Sequence, residues 1–319
     1  LSISATAVHA TDADTLVWYR FSDLPEDGTV AYGFSLTNEV GSSFKGVADS
    51  LDTASATWKH GGWVVGGTND WSSTVSLLDG MNALANGRCV HFREGQGTGV
   101  IRIDDEQGEN NAWRLANGSF TVELFVKTRE MKTQTLVCRG IGESSFENWG
   151  TNDCWRLELV RRSENDGGYL VLTSKGGGAS VRTTGTRNGP SLSDGKWHHV
   201  AVTYDSTTRT WQVFQDYQIL GRLTLPEGEA PNLEGRPVII GCVPQRVWAN
   251  FKNGSLDEFR VTGRVLTARE FLGYRAVAHD QEDDVAVYLP FDEPSAVGAD
   301  EFPCARGWES ATGTSLSWN

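Results

Sequence analysis

Residues 191–205 read SLSDGKWHHVAVTYD, a polar turn that runs into aromatic and β-branched residues suited to a pleated, buried strand. Ser193-Asp194-Gly195 supplies the turn, and Trp197, Val200, Val202 and Tyr204 supply the strand. Alternation places Trp197, His199 and Ala201 on one face and His198, Val200, Val202 and Tyr204 on the other. Both faces carry residues that need cover, as in a central strand inside a sandwich of two sheets.

The neighbouring sequence repeats this pattern. Towards the C-terminus, WQVFQD (211–216), ILGRLTL (219–225), PVIIG (237–241) and GSLDEFRVTG (254–263) read as strands. Towards the N-terminus lie YLVLTS (169–174), WRLELVR (155–161), TLVCR (135–139) and FTVELFVK. The last sets Phe120, Val122, Leu124 and Val126 against Thr121, Glu123 and Lys127, as in a half-buried antiparallel strand, with Phe125 an exception on the polar face. RCVHF (88–92) and GVIRI (99–103) read as two strands joined by the Gly-rich EGQGT turn. TLVWYRF opens the series at 15–21, and 30–36 continues as a short strand. From 38 to 87 the pattern is loose, with dispersed Trp and Gly-Gly pairs, and predicts loops and short edge strands. TAREFLGY (267–274) alone reads helical, with Thr267 as N-cap and Glu270 three residues on. Many strands and one short C-terminal helix predict an all-β, two-sheet antiparallel jelly-roll sandwich.

Composition agrees. The 319 residues include 36 Gly, 12 Trp and 13 Phe without a long apolar run, which describes a turn-rich aromatic β protein with no membrane span. The net charge of −13 opposes nucleic acid and anionic lipid. Five cysteines, none in a CxxC pair, argue against a sulfur-bound zinc site. Cys138 closes one strand and Cys154 opens the next; a hairpin there brings the two sulfurs together, and a disulfide would stabilise by about 3 kcal/mol in the chain-entropy account. Ordinary buried thiols are the alternative.

The chain divides into three regions. Residues 1–14 are expected to be a signal-peptide remnant or linker, since LSISATAVHA ends in Val8-His9-Ala10, with small residues at the two positions a signal peptidase prefers. Residues 15–280 form the sandwich, with a loop-rich insertion near 50–80. Residues 281–319 hold VAVYLPFDE, which echoes LVWYRFSD of the opening strand. They are either a linker and the start of a further truncated β module, the preferred reading, or a strand that completes the first.

SFTVELFVKT, TLVCRG, WRLEL, SLSDGKWHHVAVTYD, VFQD, PVIIG and NGSLDEFRVTGRVLTAREF occur in the order found in laminin-G-like domains of the concanavalin A-like lectin/glucanase superfamily. GKWHHVAVTYD and GSLDEFRVTGRVLTAREF resemble most specifically the bacterial members. With the earlier strands added, the resemblance spans about 15–275. One departure concerns the turn after WQVF, where the family carries Asp-Gly and this chain has Asp216-Tyr217. A Tyr is poorly suited to the positive φ of a type I′ turn, so a longer hairpin loop is expected.

The resemblance bears on function. Related glucanases use a Glu-x-Asp-x-x-Glu run, and this chain lacks one. Glu143, Glu147 and Asp104-Asp105-Glu106 read as solvated loop charge, and His198 and His199 as structural, so no catalytic residue is assigned. Jelly-roll loops carry sugar sites built from aromatic faces with amides and carboxylates. Trp149 with Asn152 and Asp153, and Trp248 with Asn250, fit that chemistry, although a Trp covering a core edge is the commoner use. Many superfamily members hold a structural Ca2+; Asp257 matches the Asp of the closing strand, and Asn38 falls in the opening loop where Asp is usual. The expectation is a non-catalytic carbohydrate- or protein-binding module of a larger secreted or cell-surface protein, with a glycan or extracellular protein as ligand. A glycoside hydrolase or polysaccharide lyase domain and a structural spacer repeat are the alternatives.

Overall fold

The computed structural model describes residues 14–21, 24, 35–40, 44–51, 58–59, 62–63, 71–75, 88–92, 98–105, 118–139, 155–163, 166–175, 181–185, 190–231, 238–241, 249–274, 301–303 and 310–312. In chain order the strands are β1 (Thr15–Tyr19), β2 (Ser35–Leu36), β3 (Phe44–Leu51), β4 (Trp58–Lys59), β5 (Gly62–Trp63), β6 (Trp71–Val75), β7 (Arg88–Phe92), β8 (Thr98–Asp105), β9 (Phe120–Thr128) and β10 (Gln134–Arg139). They continue as β11 (Trp155–Ser163), β12 (Asp166–Lys175), β13 (Val181–Gly185), β14 (Trp197–Asp205), β15 (Thr210–Gln215), β16 (Gln218–Thr224), β17 (Val238–Ile240), β18 (Gly254–Thr262), β19 (Glu301–Pro303) and β20 (Ser310–Thr312).

Two eight-stranded antiparallel sheets result. Sheet A runs β16-β15-β14-β9-β18-β7-β6, with β1 also on β18; sheet B runs β13-β12-β11-β10-β17-β8-β3-β2. The stretch 191–205 lands as expected, with β14 between β15 and β9. Val200, Val202 and Tyr204 join Phe120, Val122, Leu124 and Val126 in the core between the sheets, against Leu157, Leu159, Leu170 and Leu172 of sheet B. A second cluster lies on the outer face of sheet A, where Phe125, Ala201, Phe214 and Tyr217 pack under Leu266, Phe271 and Leu272.

That outer cluster corrects several expectations. The face of β9 bearing Thr121, Glu123 and Phe125 is not half exposed: all three are at most 1 % accessible, because the segment after β18 folds back over them. Phe125 is thereby a core residue of a second layer. The segment itself is not a helix over 267–274 but one 3-10 turn, Ala268–Glu270. The Glu270 carboxylate does accept from the Thr267 backbone N–H and hydroxyl, each at 2.8 Å, as the sequence signature implies. Phe271 then turns extended (φ −68, ψ 151), which drops its ring and Leu272 onto the sheet.

The hairpin after WQVF is not lengthened. Gln215 pairs with Gln218 across a two-residue loop in which Asp216 (φ 47) and Tyr217 (φ 68) both lie in the left-handed region. Tertiary contacts override the local preference: the Tyr217 ring stacks on His199 with centroids 4.5 Å apart and 9° between planes, and its hydroxyl donates to the Leu272 carbonyl at 3.0 Å.

RCVHF and GVIRI do not form a hairpin; β7 belongs to sheet A and β8 to sheet B, so EGQGT links the two layers. In 38–87 the chain also forms more strand than its pattern predicts, since β3 pairs with β8 over eight residues. β10 and β11 form the expected hairpin, with Cys138 opposite Arg156; Cys154 lies outside the described residues. The 285–293 run lies outside them too, and β19 and β20 pair with each other.

Candidate functional site

Strand register builds a row of side chains that no local pattern announces. Trp197 of β14 pairs with Lys127 of β9, Lys127 with Ser255 of β18, and Ser255 with His91 of β7. Paired residues share a face, so four strands present one transverse row on the outer side of sheet A. The Lys127 ammonium lies 6.0 Å from the Trp197 ring centroid. His91 Nδ1 and Ser255 Oγ are 3.0 Å apart. One rung along, the paired His199, Phe125 and Asp257 are buried, and there the segment after β18 seals the face.

The open rung floors a trough of about 680 Å3, within the range of small-ligand sites. Its rim is held by short-range geometry. Gly195 adopts φ +84 and donates its N–H to the Thr128 carbonyl at 2.9 Å. A Cβ there would sit 2.5 Å from Arg129 Nε, and the φ itself favours glycine. On the other side Asn253 (φ 53) donates from Nδ2 to Glu130 at 3.1 Å, while its carbonyl accepts the Thr128 hydroxyl at 3.2 Å. Gly254 admits the Phe251 ring beneath: a Cβ would approach its Cζ to 2.6 Å and the Lys127 carbonyl oxygen to 2.9 Å. Cys89 closes the floor; burial, and secondarily the Asp257 carboxylate, push its thiol up to about 12. It is therefore a packed thiol and not a nucleophile.

Beside the trough the two histidines of WHHVA hold structure in different ways. His199 Nε2 lies 2.8 Å from Glu123 Oε2, whose other oxygen accepts from Arg260 Nε at 2.7 Å; the Leu272 N–H adds a third bond at 2.9 Å. Burial alone would raise the Glu123 pKa, but Arg260 and His199 outweigh it and hold the carboxyl below its usual range. His198 is clamped at Nδ1 by Asp216 (2.8 Å) and at Nε2 by Asp194 (3.0 Å), joining the β15–β16 turn to the turn before β14. Burial disfavours its charge, yet the two carboxylates prevail and raise its pKa.

Of the residues singled out from sequence, Trp149, Asn152, Asp153 and Trp248 lie outside the described residues. Asn250 is 5 % exposed. Asn38 Oδ1 accepts from the Trp18 N–H at 2.9 Å and Nδ2 donates to the Leu16 carbonyl at 3.2 Å, which staples the opening loop to β1. Asp257 is fully buried and accepts from the Glu258 N–H at 2.8 Å, at the bulge where Glu258 takes φ 49. Calcium needs six to eight oxygens, and among the described residues no group of three or more His, Cys, Asp or Glu is placed to hold a metal. No local sequence signal marked the trough residues Lys127, Arg129, His91 and Ser255, except that Trp197 and Lys127 each fall on the face opposite the main core.

Comparison with known proteins adds three findings. A family model described as the concanavalin A-like lectin/glucanases superfamily matches residues 95–271, more than half of the chain. Human neuronal pentraxin-2 is 27 % identical over 117 residues, which is 35 % of this chain and 27 % of that protein; mouse neuronal pentraxin-2 is 26 % identical over the same length. The chain thus spans about a quarter of the length of these relatives. Among solved structures, domain 4 of AbnA, an extracellular arabinanase from Geobacillus stearothermophilus in complex with arabinotriose, superposes with a TM-score of 0.51 at 15 % identity, covering 83 % of this chain and 98 % of that one. A botulinum neurotoxin serotype D binding domain gives 0.48 at 10 % identity, covering 86 % and 54 %. The family match, the two-sheet antiparallel sandwich and the strand order around β14 agree: the chain belongs to the concanavalin A-like lectin/glucanase superfamily, in its laminin-G-like branch.

Proposed function

We propose that this chain is a non-catalytic carbohydrate-binding module of a larger secreted or cell-surface protein, and that an oligosaccharide lies in the trough on the outer face of sheet A. One observation carries the reading: an open transverse groove of about 680 Å3 that sets an indole beside Lys127, Ser255, His91 and Asn253. Sugars present apolar C–H faces and hydroxyl edges together, so an aromatic surface flanked by donors and acceptors is the matching chemistry. The arabinanase domain, which was solved with arabinotriose, supports the reading at the level of fold alone. The residues lining the trough, among those described, include no Asp or Glu, whereas hydrolysis of a glycosidic bond needs two carboxylates flanking it. A glycan array followed by calorimetry tests the proposal. Trp197→Ala is expected to weaken the best oligosaccharide about tenfold or more, and His91→Ala to weaken it without altering the fold. Unchanged affinity in both, with the melting temperature retained, would reject the trough as the site.

A further inference from the structure

The trough carries a charge opposite to that of the chain. Lys127, next to last in β9, and Arg129, the first residue after it, both line the trough. Neither has an ion-pair partner among the described residues. The carboxylates nearby are engaged or withdrawn: Glu130 takes Asn253 Nδ2 and lies 3.8 Å from Lys132 Nζ, and Asp257 is buried beneath the floor. The Arg129 side chain packs against Gly195, whose φ of +84 favours glycine there. All this occurs in a chain of net charge −13.

Resting on the glycan reading above, we infer that the ligand is an acidic oligosaccharide whose carboxylate or sulfate group is held by Lys127 and Arg129 while a sugar ring lies by Trp197. Two cations lining one trough give charge-assisted hydrogen bonds to anionic oxygens, which neutral hydroxyls cannot match. The net negative field of the protein repels a dense polyanion at long range. The ligand class is therefore a glycan with isolated acidic groups on an otherwise neutral chain, and not a polyelectrolyte.

Calorimetry on the full chain at low and moderate salt tests this with matched probes: a uronate-bearing oligosaccharide and its carboxyl-reduced counterpart, a monosulfated oligosaccharide and its desulfated counterpart, and a long polysulfated chain. The acidic member of one pair is expected to bind at least tenfold more tightly than its neutral partner, and that pair identifies the group. The double variant Lys127→Gln/Arg129→Gln, with an unchanged melting temperature, is expected to bring the two members within about twofold of each other. Equal binding of acid and neutral forms, with binding still lost in Trp197→Ala, overturns the charge inference and keeps the glycan reading. Binding of no oligosaccharide of either kind overturns both. Preference for the polysulfated chain over every oligosaccharide also overturns the inference, because it marks a non-selective basic patch.

Discussion

Tyr217 occupies the turn position where glycine is expected, and replacing it with glycine is predicted to destabilise the protein. Local energetics favour the substitution: a non-glycine residue at φ 68 costs about 1–2 kcal/mol. Tertiary energetics oppose it. The ring is 4 % exposed, stacks on His199, meets Tyr274 edge-on at 5.3 Å and sends its hydroxyl to the Leu272 carbonyl. Removing a buried aromatic side chain costs about 3–5 kcal/mol, and glycine adds roughly 0.5–1 kcal/mol through the unfolded chain. The balance for Tyr217→Gly is a loss of about 2–4 kcal/mol, or a fall of roughly 3–6 °C in melting temperature for a chain of this size. Tyr217→Phe isolates the hydrogen bond and should cost about 1 kcal/mol. Circular dichroism melts of the three proteins read both effects. A Tyr217→Gly protein as stable as the parent, or more so, would refute the claim that the cluster over sheet A holds this turn in its strained shape.

Glu123→Gln should lower stability by about 3 kcal/mol or more in urea titrations with an unchanged slope, because it leaves Arg260 buried without its counter-charge and His199 without its carboxylate partner; a loss below about 1 kcal/mol would show that the network carries little. The His198 clamp sets a pH dependence: its pKa is raised on folding, so its contribution is complete below the ordinary imidazole value of about 6.5 and fades as pH rises through the raised value. Thermal melts from about pH 5 to 9 should show that decline in the parent and not in His198→Gln; identical profiles would count against the clamp. Gly254→Ala should destabilise by about 2 kcal/mol or more, since the new Cβ meets the Lys127 carbonyl at 2.9 Å and the Phe251 ring at 2.6 Å; a neutral result would mean that β18 yields freely there. Cys89 should stay unalkylated by iodoacetamide at about pH 8 in the native protein and react once unfolded, read by peptide mass mapping; rapid native labelling would contradict its buried state.

Period-two alternation made the strands around β9, β14 and β18 legible, because a buried strand needs apolar residues at i and i+2 whatever lies beside it. It could not show that both faces of β9 are covered. Glu123 reads as a solvent-facing charge until Arg260 and Leu272, more than 130 residues on, arrive to pair with it. FKGVADSL had no readable pattern, yet β8 orders it along eight residues; strand formation there is a property of the partner edge more than of the segment. TAREFLGY failed in the opposite sense, since its helical spacing was real but Phe271 and Leu272 gain more by lying on Phe125 and Phe214. The trough was illegible for a simpler reason. Its row is drawn from residues 91, 127, 197 and 255, and which of them meet depends on register across four strands.

The segment C-terminal to β18 divides the outer face of sheet A in two. Where Leu266, Phe271 and Leu272 lie down, an otherwise exposed carboxylate and imidazole become a sealed structural pair, and Glu123 cannot meet a substrate unless that segment lifts away. One rung further the same sheet stays open, and its side chains are an indole, cations, the His91 imidazole and small hydroxyl and amide groups over the Cys89 floor. The Glu123 carboxylate is on the closed side of this boundary, and among the described residues no carboxylate lines the open side. The buried carboxylate and the open surface are therefore separated on one sheet among the described residues, which supports the proposal of a binding face whose specificity rests on Lys127 and Arg129.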